Sequence, residues 1–530
     1  MKILFMMTEP RVMKYYHETL RFMLKNGHSV HVAYFSLEKY RKGTLHEELA
    51  TEFPERFSYE VVSGKRAGIW RDLCIAISWA EDYLFFLRPF FSSAARLRER
   101  VEIRISPVFV WLMNRCPGLS TPAGREAMAA RLRVIDRAVP ASRSHKRYIR
   151  KIRPDALLVS PLLSHSGQQS EYLRAARSLG VPTAYCVASW DNLTTKGAMR
   201  GDPDYIILWN DIQKKEAIDL HGAAAERILV TGAQYFDEWF VRRPSRDRKD
   251  FCRIVGLPSD RPILMYMCSS NFMAPNERVF VLKWIASLRR SAAPEIAEAG
   301  VLIRPYPEYA DQWREVDFSP YGNVVVWPST GEYAITESAK RNFYDSVYHS
   351  LAVVGVNTTA MIESAIIGRC VLSVLASEFN ESQSNTIHFS YLKQENGGFL
   401  YLARDLDEHI AHLEIILREE DRMSQQIAQF VAHFARPHGI HQPCVPIVAQ
   451  AIEELRETAP GKRSTSIQTL MLRYALYPVA VAFKVGRLLT RLKKKRDKQE
   501  RKRLFQAAAA HGADPLVYIR SKKGDIPHVD

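Results

Sequence analysis

The densest group of chemically useful side chains lies in residues 345–375, DSVYHSLAVVGVNTTAMIESAIIGRCVLSVL. Its pattern reads as a strand over Leu351–Val354 that ends at Gly355-Val356-Asn357, after which Thr358-Thr359 opens a helix carrying Glu363. Free N–H groups at a helix start, with two hydroxyls beside them, suit a diphosphate. Glu363 sits a turn further on, where a carboxylate can accept from ribose hydroxyls. The same spacing also fits ordinary capping by Asn357 or Thr358, with Glu363 as an exposed helix charge. Two further loops have matching chemistry. Cys268-Ser269-Ser270-Asn271 follows an apolar run at 263–267 and is either a second phosphate cradle or a plain turn. Arg304-Pro305-Tyr306-Pro307 follows the run at 301–303, and its two prolines stiffen a loop that aims Arg304. A guanidinium matches phosphate bidentately, though a surface ion pair is the alternative.

In the first half, Ser189-Trp190-Asp191-Asn192-Leu193-Thr194-Thr195-Lys196-Gly197 gathers a carboxylate, an amide, hydroxyls, a cation and an aromatic ring into nine residues. That density suits a polyhydroxylated ligand, with Asp191 as a candidate base; a capped turn is the plainer reading. Thr8-Glu9-Pro10-Arg11, the nearby His17, and Ser164-His165-Ser166-Gly167-Gln168 are weaker candidates at similar positions. His388, in Thr386-Ile387-His388-Phe389, reads as packing or orienting.

These residues need a scaffold of strand ends. Ile3 to Met7 is a continuous apolar run, as in a parallel sheet covered on both faces. A helix is expected over 14–26, ended by Asn26-Gly27, followed by a strand through Val30, Val32 and Tyr34. In open α/β sheets, ligands sit in the loops at strand C-termini. The alternation resumes with strands at 156–160, 182–187, 205–209 and 227–231, and helices at 167–179 and 211–221. A second α/β unit begins at Ile263-Leu264-Met265-Tyr266-Met267, with further strands near 301–304, 324–326, 351–355 and 370–375. The expected division is residues 1–240, an N-terminal Rossmann-like domain; 241–460, a C-terminal Rossmann-like domain; and 461–530, a basic amphipathic tail. A cleft between the two halves follows.

Residues 66–150 interrupt the first unit. They carry apolar positions at helical spacing and an aromatic-rich stretch broken by Pro89, followed by Arg96, Arg98, Arg100 and Arg104. This is either a helical insertion packed on its own domain or a set of helices lying on a bilayer surface.

The 530 residues, 47% hydrophobic and 25% charged, exclude wholesale disorder and fibrous repeats. Seven scattered cysteines without a C-x-x-C pair support neither a zinc ribbon nor a disulfide framework. The net charge of +16 is uneven, since residues 461–530 hold 17 Lys/Arg against 5 Asp/Glu. Within the tail, Leu470 to Leu489 is largely apolar but carries Arg473, Lys484 and Arg487, which argues against spanning. A membrane-surface helix with a polybasic flank is expected, with a plain solvated helix as the alternative, and nucleic acid is disfavoured. The short apolar run at the N-terminus is not a signal peptide, so a cytoplasmic location is the default. There is no G-x-x-x-x-G-K-[ST], no G-x-G-x-x-G after a strand and no H-E-x-x-H, so P-loop kinases, typical NAD enzymes and zincins are disfavoured.

With MKILFMM…NGHSVHVAYF, SWDNLTTKG…ILWNDIQKKEA…RILVTGAQYFDEWF, LIRPYPEY and GVNTTAMIESAIIG in view, the chain resembles GT-B-fold glycosyltransferases of bacterial surface carbohydrate biosynthesis. It is similar also to teichoic acid glycerophosphotransferases and non-hydrolysing sugar-nucleotide epimerases. The resemblance covers most of residues 1–35 and 150–455. It implies an α/β fold of two Rossmann-like domains facing a cleft, with the donor nucleotide sugar on the C-terminal half and the acceptor on the N-terminal half. Asn357, Thr358 and Thr359 would meet the diphosphate, Glu363 the ribose, and Arg304 the charge leaving with the nucleotide; Ser269, Ser270 and Asn271, as the second candidate cradle, are counted with the nucleotide-sugar site. Asp191, with Glu9 second, would activate an acceptor held by Arg11, His165, Trp190, Asn192 and Lys196. No metal and no cofactor beyond the nucleotide-sugar substrate is expected. The partners implied are a glycan or lipid-linked acceptor and an anionic membrane surface, on the cytoplasmic face. Related glycerophosphotransferases often carry His where Tyr306 stands. A sugar-nucleotide epimerase, a polyol-phosphate transferase and a non-catalytic scaffold of a polysaccharide assembly are the alternatives.

Overall fold

A computed structural model describes residues 1–36, 45–161, 167–418, 422–457 and 465–510. Two all-parallel sheets dominate. The first holds β1 (Lys2–Met7), β2 (Ser29–Tyr34), β3 (Phe57–Val61), β4 (Ala156–Ser160), β5 (Thr183–Cys186), β6 (Tyr205–Leu208) and β7 (Ile228–Val230), in the order β3-β2-β1-β4-β5-β6-β7. The second holds β8 (Ile263–Met267), β9 (Gly300–Arg304), β10 (Val324–Val326), β11 (Ala352–Gly355), β12 (Cys370–Val374) and β13 (Tyr401–Ala403), in the order β10-β9-β8-β11-β12-β13. Both are doubly wound α/β sheets, and each reverses direction beside its first strand, between β1 and β4 and between β8 and β11. That reversal is where such sheets open a ligand crevice. The short strands β3 and β13 join the sheets in addition to those expected from the sequence.

Strand parity builds the cores. Ile3, Phe5 and Met7 pack with Leu20, Val32 and Leu158 on one face of the first sheet, while Leu4 and Met6 pack with Leu157, Val159 and Leu173 on the other. The second sheet divides in the same way, Met265 with Leu302 and Val353, Tyr266 with Ile303 and Val354. Burying each of these large side chains contributes about 1.5–3 kcal/mol.

The helix expected over 14–26 is shorter. Residues Pro10–Tyr15 form a 3-10 helix, and the α-helix runs only over His17–Lys25. Pro10 starts the tighter turn, and Tyr16, at φ −125° and ψ −3°, breaks it from the helix that follows. This break turns Lys14 and Tyr15 toward the second lobe.

The lobes are joined along one side. Trp190 and Trp209 of the first lobe share a core with Phe236, Trp239, Phe430 and Phe434. The Ala233 amide donates to the Ala435 carbonyl at 2.8 Å, and Arg436 pairs with Asp237 at 2.8 Å. The helix Cys444–Glu454 then returns to the first lobe, where Val448, Ala449 and Ile452 enter its core and His28 meets Glu453 at 2.8 Å.

Between β3 and β4 lies a helical insertion, with long helices at Trp70–Phe86 and Pro122–Ala138. Ion pairs tie it to the first lobe: buried Arg66 with Glu171 at 2.5 Å and Arg200 with Glu81 at 3.0 Å, and half-buried Arg174 with Asp136 at 2.7 Å. The Asp82 carboxylate also accepts from Arg200 and from the Ala198 amide. Gly197, at φ +101°, passes so close to Asp82 that a Cβ would collide with the carboxylate, which accounts for the glycine after Lys196. A helix over Ile467–Ala510 packs against the insertion. Among the described residues, no helix is long and apolar enough to cross a membrane.

Candidate functional site

A cleft of about 720 Å³ opens between the lobes, at the C-terminal ends of strands from both sheets. From the first lobe come Glu9, Arg11 and Lys14 after β1, Pro161 after β4, and Ser189, Trp190, Asp191, Asn192 and Lys196 after β5. From the second come Ser270 and Met273 after β8, Tyr306 and Tyr333 after β9 and β10, Asn357, Thr358 and Thr359 after β11, and His388 after β12. Both sheets therefore present their switch-point loops to one space.

Asp191 precedes a short helix, Asn192–Thr195, that begins where β5 ends. The Thr195 hydroxyl donates to one carboxylate oxygen at 3.0 Å and the Asn192 amide to the other at 3.3 Å. Lys196 stands 3.9 Å away. Burial alone would raise the pKa of Asp191. Lys196, His388 and hydrogen bonds from Ser189 and Thr195 outweigh it and hold the carboxyl down at about 2. Asp191 is thus ionised at neutral pH, and is an intrinsically weak base. Trp190 is buried, its ring edge-on to His388 at 4.7 Å, so it forms the wall between the lobes rather than an open platform.

His388 lines the cleft although it is 7% exposed, and its Nδ1 has no hydrogen-bond partner among the described residues. Burial lowers its pKa below the usual histidine value; Asp191 pulls it up and Lys196 pushes it down. The ring is neutral at pH 7 and beside a fixed negative charge. His388, expected to pack or orient, thus lines a ligand-sized space while its Nδ1 is buried and unpartnered among the described residues.

Glu9 pairs with Arg11, which is largely exposed at the rim. Lys14 lies over the rings of Tyr15 and Tyr235, 4.8 and 5.5 Å from their centroids. Burial works against its charge, but Tyr15 and Glu363 more than offset this and raise its pKa. The chemical character of the first-lobe rim is thus charged, with Lys14 held as a cation.

In the second lobe the candidate residues separate. Ser270, Asn357, Thr358 and Thr359 line the cleft. The Asn357 side-chain amide is already engaged, donating to the Ser382 carbonyl at 2.6 Å and so fixing the loop that carries His388. The Thr358 hydroxyl accepts from the Ala360 amide at 3.4 Å, a long contact that leaves it available. Ser269, in contrast, is buried, its amide donating to Glu277 at 2.9 Å, and Asn271 is exposed outside the cleft lining.

Arg304 and Glu363 do not line the cleft. Arg304 ends β9 facing the helix Glu337–Tyr348: it approaches Ser346 at 3.4 Å and Glu332 at 3.4 Å, with the Phe343 ring centroid 5.4 Å away. Burial brings its pKa down to about 10. Strand parity sets this direction, since Arg304 shares the face of Leu302, which packs in one core with Phe343; Tyr306, beyond the end of β9, reaches the cleft instead. Glu363 is buried beneath the floor beside Tyr235, Trp239 and Lys14, and burial raises its pKa. His165 lies outside the described residues.

Lys14, Tyr15, Met273 and Tyr333 were not legible as site residues from the sequence. For Lys14 and Tyr15 the available signal was Pro10, which starts the 3-10 turn that carries them and ends at Tyr16. Among the described residues, no group of three or more His, Cys, Asp or Glu side chains is placed to hold a metal ion.

Compared by sequence, the chain matches no protein-family profile and no curated protein. Compared by structure, it is similar to UDP-GlcNAc 2-epimerase from Methanocaldococcus jannaschii, with 11% identity and a TM-score of 0.48 over 86% of this chain and 100% of that one. It is similar to a glycosyltransferase from Rickettsia africae, with 10% identity and a TM-score of 0.46 over 86% and 98%. It is similar also to the wall teichoic acid polymerase TagF, with 11% identity and a TM-score of 0.42 over 86% and 89%.

Proposed function

We propose that this chain is a glycosyltransferase that moves a sugar from a nucleotide-activated donor to a surface glycan or lipid-linked acceptor at the cytoplasmic face of the membrane. The observation that carries this reading is the two-sided cleft, where hydroxyl- and amide-bearing loops of one sheet face a charged rim from the other across a space large enough for a nucleotide sugar. The donor diphosphate lies against Ser270, Thr358 and Thr359, and Lys14 supplies positive charge from the opposite lobe. A preorganised cation at the leaving group is worth most in a site that excludes water. The acceptor hydroxyl approaches from the Asp191 side. Neutral His388 takes its proton as the acceptor oxygen bonds to the anomeric carbon and the bond from that carbon to the diphosphate oxygen breaks; the nucleoside diphosphate leaves with the electron pair beside Lys14, and ionised Asp191 stabilises the resulting imidazolium. Asp191 at about 2 is too weak a base for that step alone, so the sequence-based choice of Asp191 becomes a pair with His388.

The test uses the full chain with a panel of UDP-, GDP-, CDP- and dTDP-sugars, with and without a membrane extract containing lipid-linked glycans. Release of nucleoside diphosphate that depends on the extract supports transfer. Conversion of the sugar nucleotide without extract, followed by proton NMR, identifies an epimerase instead. No turnover of any donor under either condition contradicts enzymatic transfer and leaves the scaffold reading.

A further inference from the structure

The sequence places a helical insertion and a basic tail far apart in the chain, and the structure makes them one unit. In the helix Ile467–Ala510, Ala480 is fully buried against Trp70, Leu73 and Ile77 of the insertion. Arg473 donates to the Ala138 carbonyl at 2.9 Å, at the C-terminal end of the helix Pro122–Ala138, where the carbonyl dipoles favour a cation. Arg487 pairs with Asp72 in the first turn of the helix Trp70–Phe86.

Between residues 467 and 492 the helix carries four charged residues, Arg473, Lys484, Arg487 and Arg491. With 3.6 residues per turn, all four fall within about 60° of arc around Ala480, the side turned to the protein. The outward side is left without any charge. It presents Ile467, Met471, Tyr474, Val485, Leu489 and Leu492, which are 75, 68, 77, 48, 61 and 54% exposed. A surface helix ordinarily turns its apolar side inward; here the polar side grips the body and the apolar side faces out. Beyond it, residues 493–503 contain eight Lys/Arg and two Asp/Glu.

We infer that the outward stripe of residues 467–492 lies in the surface of an anionic lipid bilayer, with the basic segment 493–503 against the headgroups. An uncharged apolar stripe with tyrosine, followed by a polybasic turn, matches such a surface in both hydrophobicity and charge. A second copy of the chain fits less well. The stripe has coiled-coil spacing, but pairing would bury Pro478 in the seam and, in parallel register, set two basic segments side by side. Docking would hold the cleft near a lipid-linked acceptor, so it deepens the proposed function. Nucleotide binding in the cleft does not depend on it, and the two can fail separately.

The test is flotation of the full chain with vesicles of phosphatidylcholine alone or of equimolar phosphatidylcholine and phosphatidylglycerol. The expected result is at least a tenfold preference for the anionic vesicles, and at least a tenfold loss in the Met471→Glu/Leu489→Glu variant. Both positions are exposed, so the circular dichroism spectrum and melting temperature should be unchanged and serve as the folding control, independently of any nucleotide binding. A variant that floats as well as the wild type overturns the inference, as does a wild type that floats with neither vesicle. A soluble dimer that the same substitutions dissociate overturns it in favour of a second copy.

Discussion

The first lobe brings charge to the cleft and the second brings neutral hydrogen-bonding edges. Glu9, Arg11, Lys14, Asp191 and Lys196 stand on one side; Ser270, Tyr306, Tyr333, Thr358 and Thr359 stand on the other, and among the described residues His388 is the one imidazole that lines the cleft. The two sheets have the same switch-point topology, so the difference is not one of architecture. It comes from what each strand-end loop carries and which way strand parity points it. A ligand with an anionic middle and a hydroxylated end satisfies both rims only when the lobes face each other. On the proposed function, the neutral rim would orient the donor and the charged rim would stabilise the charge that develops during transfer.

The sharpest way to break this comparison is Asp191→Asn. The change removes a charge while keeping the hydrogen-bonding shape, and turnover should fall by about 10²-fold or more with donor KM changed less than about threefold. The pH profile adds a sign. Asp191 raises the pKa of His388, so removing its charge lets that pKa fall, and the acid limb of kcat/KM moves to lower pH. An unmoved limb would dissociate the two residues.

A smaller effect probes the contact between the lobes. Glu216 accepts from the Tyr391 hydroxyl, and burial raises its pKa to about 8. The folded state therefore holds a proton that the unfolded chain releases above its ordinary value near 4.5. Stability linked to this group is fully present below about 4.5 and is lost as pH rises toward 8. In Glu216→Gln, the fall in melting temperature across that window should shrink by a few degrees. An equal fall in both proteins would show that Glu216 does not titrate there.

Much of the scaffold was legible from the sequence because it depends on local pattern. Runs such as Ile3–Met7 and Ile263–Met267, buried on both faces, announce parallel strands, and the polar loops after them announce the cleft. The SWDNLTTKG and GVNTT motifs both reach it. What pattern could not give was direction. Arg304 sits on the wrong parity of β9 and faces Phe343, and Glu363 points beneath the floor. Lys14 was hidden because an apparent helix over 14–26 is broken at Tyr16. The return of residues 444–454 to the first lobe was equally invisible, since an amphipathic stripe shows that a helix packs but not on what. The same limit concealed the docking of the tail on the insertion, where the partners are about 400 residues apart.

The most direct measurement is calorimetric titration of the full chain with UDP, GDP, CDP and dTDP, beside Lys14→Met and Thr358→Val. One nucleotide is expected to bind, with Lys14→Met weakening it about 10–100-fold and Thr358→Val about two- to tenfold, in keeping with charged and neutral hydrogen bonds. Absence of binding by every nucleotide, or an affinity that neither substitution changes, would contradict this expectation.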